Sequence, residues 1–147
     1  MNVIAFDPFM EKATVSVSFF DGQSLDFDIP MESKENVLKQ ADFITLHVPA
    51  QKEFVIGAPE LELMKDGAGL VNAARGGVVD EVAMVEALKS GKLSFAGVDT
   101  FENEPTPAVQ VVMTPNVSLT PHIGAATTQA QERIGSELAA QIISILK

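Results

Sequence analysis

Hydrophobic positions along the chain change their period several times, and the changes predict alternating strands and helices. Asn2–Phe6 is a short apolar run ending at Asp7-Pro8. Thr14–Phe20 alternates and is rich in Val and Phe, which predicts a strand. Asp21-Gly22 is a turn signal, and Leu25–Ile29 pairs with the preceding strand as a hairpin in this reading. Ser33 is placed to cap a helix reaching about Gln40. Phe43–Val48 is uninterrupted and apolar, the pattern of a strand buried on both faces. Pro59 fits the first position of a short helix that stops before Gly67.

Ala68–Asn72 is a second buried strand, and Asp80 caps a helix to about Ser90 that Gly91 ends. Leu93–Val98 and the short Val117–Leu119 are further strands. Thr128 and Gln131 have capping-box spacing. The helix after them carries Ile134, Leu138, Ile142 and Ile145 on one face. Strands alternating with helices imply an α/β fold, a parallel sheet with helices on both faces.

Composition narrows the classes. The 147 residues fit a single domain, and 46% hydrophobic residues are enough for a sizeable core. The charged fraction of 20% argues against disorder. With no cysteine, disulfides, thiolate metal sites and cysteine nucleophiles are excluded, and a reducing cytoplasmic setting fits. No metal site is expected. A net charge of −10 repels phosphate backbones, so no nucleic-acid partner is expected. No apolar run is long enough to cross a bilayer, so no membrane partner is expected either. Met1–Asp7 has no basic region or cleavage pattern, so a signal peptide is not expected.

In open parallel sheets the ligand crevice lies beyond the carboxyl ends of the strands. Asp7, Pro49, the run Ala73-Ala74-Arg75-Gly76-Gly77, Asp99 and His122 all follow predicted strands. A carboxylate at Asp7 suits the two hydroxyls of an adenosine ribose; the alternative is a turn residue before Pro8. The Arg75 guanidinium is a planar fork that matches a carboxylate, and its glycines allow close approach to a ligand; the alternative is a surface arginine in a tight turn. Glu104 is suited to holding one nitrogen of a histidine, or is a solvated loop acid. His122 is suited to taking a proton from a hydroxyl, or is a loop histidine bonded to backbone. His47 lies inside an apolar run and reads as structural or cofactor-lining. Arg, Glu and His at successive strand ends suit hydride transfer at a 2-hydroxy acid.

Three stretches carry a family resemblance: Val71-Asn72-Ala73-Ala74-Arg75-Gly76-Gly77-Val78-Val79-Asp80, Gly97-Val98-Asp99-Thr100-Phe101-Glu102-Asn103-Glu104-Pro105 and Thr120-Pro121-His122-Ile123-Gly124-Ala125. They resemble the signatures of NAD-dependent D-2-hydroxyacid dehydrogenases. Ile4–Pro8 and Leu46–Pro49 match further elements. The stretch Ala125–Gly135 is most similar to the phosphoglycerate dehydrogenases within that family.

The resemblance implies NAD as cofactor and a 2-hydroxy acid as substrate. It implies that Arg75 binds and polarises the substrate, His122 is the acid/base and Glu104 its partner. Asp7 would hold the ribose and Asp99 the nicotinamide carboxamide, with Ala73, Ala74 and Gly124 lining the nicotinamide pocket and Pro49 on the cofactor side. A homodimer is expected. The reaction implied is D-3-phosphoglycerate plus NAD⁺ giving 3-phosphohydroxypyruvate and NADH.

One departure stands out. The family pattern places a strand and a G-x-G-x-x-G turn before the segment that opens here, and the ten glycines contain no such run. The expectation is a Rossmann-type sheet lacking its first strand and glycine-rich loop, that is, a partial NAD-binding domain with the substrate domain absent. A truncated, non-catalytic dimerisation or interaction module is the alternative. The segment Thr14–Ile29 is longer than the family pattern and has no assigned purpose.

Overall fold

The computed structural model describes residues 1–146. Its centre is a parallel sheet of four strands: β3 (Phe43–Leu46), β4 (Ala68–Asn72), β5 (Leu93–Val98) and β6 (Val117–Leu119), in the order β3-β4-β5-β6. Upstream lies a separate antiparallel hairpin of β1 (Lys12–Ser18) and β2 (Ser24–Pro30). The helices are α1 (Lys34–Gln40), α2 (Ala58–Leu63), α3 (Glu81–Ser90), α4 (Val109–Val112) and α5 (Thr128–Ile145). The parallel α/β architecture is the one expected.

Local signals set most boundaries. The Ser33 hydroxyl accepts from the Asn36 amide and starts α1. Asp80 accepts from the amides of Val82 and Ala83 and starts α3. Gly91 ends α3 at φ 81°, in the left-handed region that favours glycine. Pro59 stands second in α2 rather than first, after Gly57 and Ala58. The cap of α5 is Thr127, one residue earlier than the expected Thr128. Its hydroxyl accepts from the Ala130 amide, while the Gln131 side chain donates to the Ala125 carbonyl.

The hairpin sorts its residues cleanly. Val15 faces Phe27 and Val17 faces Leu25 on one side. On the other, Thr14 donates to Asp28 and Ser16 to Asp26. The apolar run Asn2–Phe6 is not a strand: only Ala5 finds a partner, in an isolated parallel bridge with Met31.

The core lies on one face of the sheet. Strand register aligns Ile44, Leu70 and Ala96, then Leu46, Asn72 and Val98, all buried. Met84, Val85 and Leu88 of α3 belong to the same cluster. The opposite face is open among the described residues, a departure from cover on both sides. Phe43 is 67% exposed, so β3 alternates instead of being buried throughout. This follows from the open face, on which Phe95 of the interior strand β5 is exposed as well. On that open face Phe43 and Phe95 sit with ring centroids 5.9 Å apart, over Gly69, where a β-carbon would overlap the Phe95 ring. Helix α5 carries the predicted apolar stripe but buries none of it.

Candidate active site

Because the strands of the sheet are parallel, their carboxyl ends share one edge. Of the segments that leave that edge, those after β4, β5 and β6 carry Arg75, Glu104 and His122. The first begins at Asn72, which is buried. Its side-chain oxygen accepts from the Ala74 amide, and its NH₂ group donates to the Arg75 carbonyl. The side chain therefore folds the backbone of residues 73–75 into a fixed turn. Ala74 is buried beneath this turn and Ala73 is exposed. Arg75 is exposed, and its Nη1 donates to the Ala74 carbonyl at 2.7 Å.

The second loop is tied to the first. A β-carbon at Gly76 would overlap the Phe101 carbonyl oxygen, so only glycine allows this approach. Gly77 follows with φ 75°. The Phe101 amide donates to Glu104 Oε1 at 2.9 Å. The other oxygen, Oε2, lies 2.8 Å from His122 Nδ1. An ionised carboxylate only accepts, so Nδ1 carries the shared proton and Nε2 is left for exchange with a ligand. The hydrogen bond from His122, then that from Phe101, holds the Glu104 carboxyl below the usual glutamate range.

The third loop carries His122 with φ 54°, a region sparsely used by residues with a β-carbon. Asp99 holds it there. Asp99 Oδ1 accepts from the Thr120 hydroxyl at 2.6 Å and the Ile123 amide at 2.9 Å, and Oδ2 from the Gly124 amide at 3.1 Å. Burial alone would raise the Asp99 pKa. The Thr120 hydroxyl, the two amides and the nearby His122 outweigh it and hold the pKa low. Strain at a functional position persists when its surroundings over-determine it, and here three bonds bracket the strained residue.

An open cleft of about 410 Å³ lies beside His122, between Glu104, Phe101, Val112 and Leu119. No cation lines it. Glu104 and His122 thus meet directly. Arg75 does not line this cleft; its turn is coupled to the pair through the packing of Gly76 on Phe101 and through Asn72, which also accepts from the Asp99 amide. The expected meeting of three side chains is therefore a direct pair plus an arginine on an adjoining, rigidly coupled turn.

The remaining expected residues are distributed as follows. Asp99 and Gly124 lie in the His122 loop contacts just described. Asp7 accepts from the Phe9 amide at 2.8 Å, which is the turn geometry weighed above. Pro49 is exposed. Their neighbours Phe6 and Ala50 line a second cleft of about 630 Å³, together with Lys34, Gln51 and Phe54. The His47 ring bonds the Thr45 hydroxyl at 3.0 Å. Asn72, Glu81 and Glu102 were not singled out from sequence, although Asn72 and Glu102 lie within the quoted motifs.

Comparison with known proteins gives the family. Residues 1–124 match the family model described as the D-isomer specific 2-hydroxyacid dehydrogenase, NAD binding domain. The chain belongs to that family. Over its whole length it is 42% identical to D-3-phosphoglycerate dehydrogenase of Archaeoglobus fulgidus and 40% identical to that of Methanocaldococcus jannaschii. It spans 27% of the length of each of these dehydrogenases. Among solved structures, a glyoxylate reductase from Paecilomyes thermophila superposes with a TM-score of 0.68 at 38% identity, over 73% of this chain and 33% of that one. The D-lactate dehydrogenase of Aquifex aeolicus, complexed with NAD and lactic acid, gives 0.66 at 33% identity, over 80% and 41%. NAD is thus the cofactor of the domain family to which this 2-hydroxyacid dehydrogenase chain belongs.

Proposed function

We propose that the chain is the cofactor-side portion of an enzyme that transfers a hydride between a D-2-hydroxy acid and NAD, with D-3-phosphoglycerate as the substrate and serine biosynthesis as the setting. The observation that carries the reading is the Glu104–His122 pair at the carboxyl edge of the sheet. In the oxidising direction, His122 Nε2 takes the hydroxyl proton of the substrate while its C2–H leaves as hydride and the carbonyl forms. Glu104 fixes the ring and offsets the charge that His122 gains. Arg75 receives the carboxylate of the substrate through its guanidinium fork. NAD supplies the ring that accepts the hydride.

The residues present fit the two ends of a dinucleotide. Asp99, Ala73, Ala74 and Gly124 are proposed for the nicotinamide end. Asp7 and Pro49 are proposed for the adenosine end, beside the cleft between Phe6 and Phe54. No glycine run is present for the pyrophosphate, which usually rests on a helix amino terminus. The 147 residues by themselves are therefore expected to bind NADH weakly or not at all, and isothermal titration calorimetry reads this directly. Turnover is assigned to the complete polypeptide that carries this sequence, a homodimer in the cytoplasm in this proposal. A chain without cysteine suits a reducing compartment.

The test is an NADH-formation assay of that complete polypeptide with D-3-phosphoglycerate, D-glycerate and D-lactate. Turnover strongest with D-3-phosphoglycerate supports the proposal. Turnover only with another acid removes the substrate assignment and leaves the reaction class. No turnover with any of them overturns the reading.

A further inference from the structure

We propose that Glu81 is a positioning residue for the Glu104–His122 pair, acting through the backbone of Glu102 and Phe101. The inference rests on the reading of His122 as the proton carrier.

Glu81 is the first residue of α3 and is buried, with 6% of its surface exposed. A helix start leaves its first amides unpaired. Asp80 takes those of Val82 and Ala83, and Glu102 Oε1 takes that of Glu81 at 2.8 Å. The helix is then capped without any help from the Glu81 side chain. That side chain does something else: its Oε1 accepts from the Glu102 amide, also at 2.8 Å. Two carboxylates each take the other's backbone N–H and close a ring across 21 residues of sequence.

Burial, and after it the charge of Glu102, pushes the Glu81 carboxyl up, while the Glu102 amide works against them. The carboxylate sits in a place unfavourable to its own charge. What the ring secures is the Phe101–Glu102 backbone. Gly76 presses on that backbone from the Arg75 turn. The Phe101 amide next in line holds Glu104 Oε1, and Glu104 Oε2 holds His122. Removing the Glu81 acceptor frees the Glu102 amide and loosens the donor that aims Glu104.

The test follows the titration of the Glu104 carboxyl by carbon-detected NMR in the 147-residue protein. The groups facing Glu104 are His122 and Asp99, and neither is altered. Glu81→Ala is expected to raise the Glu104 midpoint by roughly half a pH unit or more, towards the ordinary glutamate range. Glu81→Gln keeps an acceptor oxygen and is expected to stay at the wild-type value. Val85→Ala, a core truncation in the same helix, is expected to lower stability without moving Glu104. If Glu81→Ala does not fold, Glu81→Met, which fills the same space without an acceptor for the Glu102 amide, is read in the same way. A folded ring-opened variant whose Glu104 titrates as in wild type overturns the proposal. So does a Glu81→Gln protein that shifts as far as Glu81→Ala. The measurement needs neither cofactor nor turnover, so a negative result leaves the dehydrogenase reading standing, and an inactive complete enzyme leaves this result standing.

Discussion

Glu104 presents one carboxylate oxygen to His122 Nδ1 at 2.8 Å and the other to the Phe101 amide at 2.9 Å. The acid is held at both oxygens, so the imidazole is oriented by a group that is itself oriented. This relationship turns an exposed loop histidine into a candidate acid/base with one nitrogen free.

The pair leaves a signature in stability against pH. The Glu104 carboxyl is held below the ordinary glutamate value of 4.5, chiefly by its bond with His122. An acid depressed on folding adds stability above its unfolded value and loses it as pH falls through the folded value. Stability should therefore decline as the solution is acidified below 4.5, and Glu104→Gln should remove that share of the decline. Glu81 has the opposite sign, because burial raises it. Its contribution is full below 4.5 and is lost as pH rises through its folded value, so Glu81→Gln should flatten the curve on that side. Thermal melts across the acidic range separate the two.

Asp99 should matter to stability as well as to the site. Asparagine offers a single acceptor oxygen where the carboxylate serves three donors. The three donors sit on exposed residues, so Asp99→Asn is expected to cost about 0.5–1.5 kcal/mol for each hydrogen bond lost. It should also release the His122 loop from its left-handed backbone. Urea denaturation gives the first quantity, and the loss of the His122–Glu104 contact by NMR gives the second.

Gly76 and Arg75 are neighbours with opposite expected behaviour. Gly76→Ala puts a β-carbon into the Phe101 carbonyl and should destabilise the protein by roughly 1–3 kcal/mol. Arg75→Ala removes an exposed side chain whose one bond is to its own turn, and should change stability by less than about 0.5 kcal/mol. In the complete polypeptide Arg75→Ala should nonetheless weaken substrate binding, and Arg75→Lys should rescue it poorly, since an ammonium lacks the planar fork. Chemical denaturation alongside steady-state kinetics distinguishes a folding defect from a binding one.

The parts that were legible in the sequence share one property: their cause is local. Asp80 and Gly91 delimit α3 because a side-chain acceptor and a left-handed residue act within a turn of the helix. Ala68–Asn72 is buried enough along its length to show as a largely apolar run. Phe43–Val48 looked the same, yet alternate positions are exposed, because burial depends on surroundings that the run does not encode, and nothing covers the face that carries Phe43 among the described residues. Asn2–Phe6 failed as a strand for the same reason, since only Ala5 finds a pairing partner. At the start of α5, Thr128 carried the capping-box spacing with Gln131, yet the hydroxyl of its neighbour Thr127 caps the helix.

The site divides in the same way. His122, Glu104 and Arg75 were visible as chemically able residues at strand ends and through the family motifs. The Glu81–Glu102 ring and the Gly76–Phe101 approach were not, because each joins segments distant in sequence whose residue types alone suggest only a helix start and a turn. Asp99 was read as a cofactor contact, and its bonds to Thr120, Ile123 and Gly124 add a structural duty that no spacing displays.

The proton-transfer role of His122 is tested most directly by single-turnover kinetics of the complete polypeptide, wild type against His122→Asn, with hydroxy-acid substrate and NAD saturating. The variant should still fold and should lose about 10²–10⁴ in the hydride-transfer rate, the usual worth of a positioned acid/base. A folded His122→Asn protein that transfers hydride at the wild-type rate would contradict the account.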